Sequence, residues 1–129
     1  MNVSRKDELL VQPWVGTSWE GWVIEQILIF LNMENIHFDG PYYFRTSDGN
    51  EIDLIFIINR TIFAVEIKLS SSPGRDDLKR LKKAADLIGE CQKVLISKTA
   101  HPTESTGFLS TNLRGFLQYL QKRVQSPPG

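Results

Sequence analysis

Glu66 and Lys68 set a carboxylate and an ammonium two residues apart in the triplet Glu66-Ile67-Lys68, which closes an otherwise apolar run. In a strand, side chains alternate, so both share a face with Ile62 and Ala64, while Phe63, Val65 and Ile67 take the other. Charges in so apolar a strand are costly unless they find partners. Asp53 lies 13 residues before Glu66, in a second apolar run joined to the first by Asn59-Arg60. Antiparallel pairing across that turn can bring Asp53 and Glu66 onto one patch of sheet. Two converging carboxylates repel unless a hard cation sits between them. A surface ion pair at a strand end would account for Glu66 and Lys68 alone, and the sequence leaves both readings open. Glu51, two residues from Asp53, shares its face or is simply a solvated charge at the strand start.

Glu20 is a further acid. Val23, Ile24, Ile27 and Leu31 follow it at helical spacing, which puts Glu20 within an apolar stripe. Its alternatives are a functional group reaching a metal or a lysine, and an acid serving the helix N-terminus. Asp77-Leu78-Lys79 repeats the acid-x-lysine pattern, but at the start of a helical segment, where residues two apart point in different directions. Asp76 and Asp77 therefore read as acids favoured by the helix dipole.

The elements that must position these groups follow from pattern. Thr17 or Ser18 can cap a helix to about Met33. Pro41 to Arg45 reads as a short strand, Ser47-Asp48-Gly49-Asn50 as a hairpin turn, and Glu51 to Ile58 as a second strand. Asn59-Arg60 is a tight turn and Ile62 to Leu69 a third strand. A helix from about Arg75 to Ile88 carries Leu78, Leu81, Ala85 and Ile88 inward. Lys93 to Ser97 is a fourth strand, and Asn112 to Val124 a closing helix. The order α-β-β-β-α-β-α predicts a three-layer α/β fold around a mixed sheet.

The chain of 129 residues suits one domain, with 1–12 as a polar N-terminal segment, 13–124 as the domain and 125–129 as a Pro/Gly tail. Its single cysteine, Cys91, excludes a disulfide framework and a cysteine-rich zinc site. A polar start and the lack of a long apolar run predict a soluble, cytoplasmic protein. Net charge is zero, yet residues 1–68 carry five basic and ten acidic residues and residues 69–129 carry ten and five. An overall basic footprint for nucleic acid is thus absent, but one half suits a cation and the other phosphates.

Four linked segments resemble a known family. They are Trp14-Val15-Gly16-Thr17-Ser18-Trp19-Glu20-Gly21-Trp22, Tyr42-Tyr43-Phe44-Arg45-Thr46, Gly49-Asn50-Glu51-Ile52-Asp53-Leu54, and Val65-Glu66-Ile67-Lys68 followed by serines. Broadly they look like the PD-(D/E)xK nuclease superfamily, with its restriction-endonuclease-like core. More narrowly, residues 13–120 resemble the nuclease-like domain of unknown function found at the C-terminus of bacterial and archaeal AAA-type ATPases. Ile52 stands where the superfamily's proline would be. No phosphate loop of the form G-x-x-x-x-G-K-[ST] occurs, so the resemblance implies either an excised domain or a stand-alone remnant of an ATPase-linked protein.

The resemblance implies Mg²⁺ or Mn²⁺ held by Asp53 and Glu66, with the carbonyl of Ile67 and the carboxylate of Glu20 as further ligands. Lys68 would orient a water or offset charge in the transition state, and Glu20 would alternatively orient Lys68. Arg45 is a candidate phosphate clamp, or a plain surface arginine. Arg75, Lys79, Lys82 and Lys83 form a stripe that would track a DNA backbone, or a solvated helix face. Trp14, Trp19 and Trp22 are packing residues, with base stacking as the alternative. Two functions follow: a metal-dependent nuclease acting on DNA, and a non-catalytic module that docks onto an ATPase or nucleic acid.

Overall fold

The protein is described by a computed structural model that covers residues 9–11 and 18–125. Ten elements appear in order: β1 (Leu9–Val11), α1 (Trp19–Met33), β2 (Asp39–Arg45), β3 (Glu51–Ile58), β4 (Thr61–Ile67), α2 (Arg75–Ile88), β5 (Gln92–Ile96), β6 (Thr103–Ser105), β7 (Phe108–Thr111) and α3 (Leu113–Gln125). The expected order is present, with three short strands added to it. Leu9–Val11, within the segment set apart as N-terminal, pairs with β2.

One sheet carries the strands in the order β1-β2-β3-β4-β5-β7-β6. β1 to β4 pair antiparallel, β4 to β5 and β5 to β7 parallel, and β6 closes the far edge antiparallel to β7. The sheet is therefore mixed, as expected. The connection from β4 through α2 to β5 returns the chain across one face, as parallel neighbours require.

The alternation in β4 sets the layers. Phe63, Val65 and Ile67 join Leu54 and Phe56 of β3 in a core under α1 and α3, with Val23, Ile27, Phe116 and Leu120. Ile62 and Ala64 face the opposite side, against Ala84, Ala85 and Ile88 of α2. Both faces are thus covered, which explains why the central strands read as nearly unbroken apolar runs. Ser18 caps α1, its hydroxyl accepting from the Gly21 N–H at 3.0 Å. Thr17, the other candidate cap, and Trp14 lie outside the described residues, as do 1–8 and 126–129.

Asn59 and Arg60 both take positive φ, +48° and +72°, and join Ile58 to its partner Thr61. Two left-handed residues in a two-residue loop match the right-handed twist of the flanking strands and lock the hairpin register. Phe56 and Phe63 sit opposite one another in that register, with ring centroids 5.0 Å apart and nearly parallel planes. Among the described residues, no helix is long and apolar enough to cross a membrane.

Because the Phe56 ring is fully buried against Phe63 and Phe116, Phe56→Ala should lower unfolding stability by about 3–5 kcal/mol. Urea denaturation followed by far-UV circular dichroism checks this, and a loss below about 1 kcal/mol would contradict the packing.

Candidate active site

The hairpin register carries Asp53 to Glu66. The last paired residues of β3 and β4 are Leu54 and Val65, so Asp53 and Glu66 are the next opposing pair. There the regular ladder stops. Between Tyr42 and Phe44 the β2 strand advances two residues while β3 advances three, from Ile55 to Ile52. The extra residue is a bulge at Asp53-Leu54, and bulges re-aim side chains at strand ends. Asp53 Oδ2 instead accepts the Ile67 N–H at 2.9 Å, standing in for a backbone acceptor. The Lys68 N–H donates to the Ile96 carbonyl at 2.8 Å, which ties the end of the triplet to β5.

Glu66 is buried, with 8% of its surface exposed. Burial, a hydrogen bond to Asp53 and the charge of Asp53 together push its carboxyl up to about 9, against the pull of Lys68. At neutral pH the Glu66 carboxyl therefore favours its neutral form beside Asp53. Lys68 Nζ stands 3.8 Å from Glu66 Oε2 and is about one-third exposed, so the pair is only partly desolvated.

These groups open onto a cavity of about 370 Å³. Glu20 and Gly21 of α1, Arg45 of β2, and Glu51, Asp53, Glu66 and Lys68 all line it. Glu20, Asp53, Glu66 and Lys68, separated by up to 48 positions in the chain, thus meet at one place. Among the described residues, no three His, Cys, Asp or Glu side chains cluster tightly enough to enclose an ion together. Asp53 and Glu66 are a pair, and Glu20 and Glu51 stand around them on the cavity wall. Glu51 also adds its charge to the field that raises Glu66. Arg45 is exposed at the rim and bonded to Glu51, Nε to Oε1 at 3.3 Å.

Arg75, Lys79, Lys82 and Lys83 are all exposed on α2, and none of them lines the acidic cavity. Lys82 lines a separate hollow of about 290 Å³ with Lys93, Ser105 and Thr106. Asp77 serves its helix, accepting the Gly74 N–H at 3.0 Å and an Arg80 N–H at 2.6 Å. Trp19 packs against the core with Lys98 Nζ 5.4 Å from its ring, whereas Trp22 is 47% exposed. Tyr43, which the sequence reading left unassigned, lines the acidic cavity as well. Strand alternation in 41–45 was the available signal for it.

Comparison with known proteins places this cleft in a family. A domain profile described as a domain of unknown function, DUF4143, matches residues 15–114, most of the chain. The chain belongs to the DUF4143 family. Uncharacterized proteins of Mycobacterium bovis and Mycobacterium tuberculosis are each 36% identical to it over 62 residues, which is 48% of this chain and 13% of either relative. The chain thus matches only a small part of those relatives' length. The crystal structure of a Vibrio cholerae protein is similar in fold, with a TM-score of 0.50 and 20% identity over 81% of this chain and 32% of that one. Every acid of the cleft, and Lys68, lies inside the matched DUF4143 region.

The raised pKa of Glu66 has a defined consequence for stability. In the unfolded chain Glu66 ionises near its ordinary value of 4.5, while in the fold it keeps its proton until about 9. Between those values the native state holds more protons, so the Glu66 contribution is fully present below pH 4.5 and is lost as pH rises towards 9. Glu66→Gln, which keeps a neutral hydrogen-bonding group, should raise the melting temperature in metal-free buffer at pH 8 and change it little at pH 4.5. Thermal scans across that range test this, and an equal effect at both ends would contradict it.

Proposed function

We propose that the DUF4143 cleft is the site of a metal-dependent nuclease that hydrolyses phosphodiester bonds in DNA. The observation that carries the reading is the contact of the Asp53 and Glu66 carboxyls, with the Lys68 amine 3.8 Å from Glu66. The donor set fits a hard dication. Both groups are carboxylates, the preferred ligands of Mg²⁺ and Mn²⁺, and the neutral form of Glu66 relieves the repulsion that a cation would relieve more fully. Asp53 and Glu66 would hold the ion, with the Ile67 carbonyl and the Glu20 carboxylate as further candidates. When bound, such an ion polarises the phosphodiester and lowers the pKa of water.

The chain's own groups have separate tasks. The Ile67 N–H fixes the Asp53 carboxylate in place. Lys68 offers a cation where negative charge grows on the phosphate oxygens. Arg45, at the rim, is placed to clamp a flanking phosphate once it leaves Glu51. The exposed cations of α2 would follow the backbone further out, each neutralising one phosphate charge. The resemblance of the sequence to ATPase-linked domains supports a cytoplasmic setting and an AAA-type ATPase domain as partner.

Two observations favour a second reading. The described residues offer two clustered carboxylates rather than three, and Glu66 is protonated at neutral pH. A non-catalytic module that docks onto an ATPase or nucleic acid would need no more.

Cleavage of single-stranded, duplex and branched DNA with Mn²⁺ separates the two. The nuclease reading expects cleavage that falls at least about 100-fold in Lys68→Ala. The isosteric Asp53→Asn should abolish it. Mn²⁺ should also raise the melting temperature of the wild type, as binding to the native state must. Intact DNA on all three substrates together with no thermal shift would overturn this reading in favour of the docking module.

A further inference from the structure

A second cavity lies at the other end of the β3–β4 hairpin. It measures about 560 Å³, within the range of small-ligand sites. Arg60 of the tight turn and Arg123 of α3 line it, with Ile62 and Ile88 as apolar walls and Gln92 and Cys91 beside them. Thr61, Arg60's neighbour, stands five residue steps along β4 from Glu66, roughly 17 Å along a strand, so this hollow is distinct from the acidic cleft.

Arg123 is held in place by neutral groups. One guanidinium nitrogen donates to the Tyr119 hydroxyl and another to Thr61 Oγ1, both at 3.3 Å. Its carbon lies 5.5 Å from the Phe63 ring centre. No ion pair engages Arg123 or Arg60 among the described residues. Two hydroxyls and a ring orient the fork while leaving its positive charge uncompensated, the condition that favours capture of an anion. Arg60 is presented on a left-handed backbone, φ +72°, at the tip of a turn fixed by its register. Glu90 also lines the hollow and opposes one of the two charges. The net positive charge that remains favours an anion, and a phosphate's oxygens can meet both planar guanidinium forks.

We propose that this cavity binds a phosphate-bearing ligand of mononucleotide size, with its phosphate between Arg60 and Arg123 and its apolar part against Ile62 and Ile88. The size supports a mononucleotide over a bare anion, and the mixture of two forks with an apolar wall matches its two-part chemistry.

Cys91 makes the test direct, because it is the chain's one cysteine and lines the cavity. Burial raises its thiol, so alkylation is slow enough to time. The full chain is titrated with adenosine monophosphate and, separately, inorganic phosphate, in chelator without divalent metal, by calorimetry and by the rate of Cys91 alkylation. Adenosine monophosphate should bind saturably and protect Cys91. Arg60→Asn, a residue that accepts the left-handed backbone, and Arg123→Gln should each weaken binding at least about tenfold, whereas Lys122→Gln should not. Equal binding of inorganic phosphate would support the phosphate subsite and overturn the mononucleotide assignment. No saturable binding of either probe, or arginine variants that bind as the wild type does, would overturn the site altogether. Neither DNA nor metal enters these measurements, so their failure leaves the acidic cleft reading untouched.

Discussion

Two carboxyl groups held against each other at the end of a buried sheet are the constraint around which this molecule is arranged. Asp53 and Glu66 come from different strands, and their opposition follows from register rather than from local sequence. Burial and mutual repulsion would disfavour the pair if both were ionised, so Glu66 retains its proton. The Ile67 N–H on Asp53 and the nearby Lys68 amine are the compensations that keep the pair within the fold. Under the proposed nuclease reading, a divalent cation would take the place of that proton.

The remaining architecture fixes that opposition. The Asn59-Arg60 turn sets the hairpin register, and a slip of one residue would send Glu66 to the α1–α3 face. Stacked Phe56 and Phe63 lock the same register from inside the core. The bulge at Asp53-Leu54 ends regular pairing where the acids meet, and α1, capped by Ser18, brings Glu20 and Gly21 to the cavity wall. The far end of the same hairpin carries Arg60, so one rigid ribbon has a carboxylate pair at one tip and a guanidinium at the other.

Much of this was legible in the residues. Apolar alternation located β3, β4 and α2, and the turn chemistry of Asp48-Gly49 and Asn59-Arg60 joined the strands in the right order. Asp53 and Glu66 could be paired from the spacing across a two-residue turn. The added strands were not legible for physical reasons. Thr103–Ser105 is a three-residue exposed edge with no apolar face to reveal it. Phe108–Thr111 follows a left-handed Gly107 and has only four residues in which to show alternation. The proton on Glu66 also lay beyond pattern, since it depends on burial and on an exact neighbour. The Arg60 and Arg123 hollow was invisible because its two cations are far apart in the chain and neither sits in a motif.

The most direct measurement is anomalous diffraction from crystals soaked in Mn²⁺. A single peak within coordination distance of both the Asp53 and Glu66 carboxylates is the predicted result. Well-ordered crystals with those two carboxyls still in hydrogen-bonded contact, and no manganese peak beside them at saturating metal, would contradict the account.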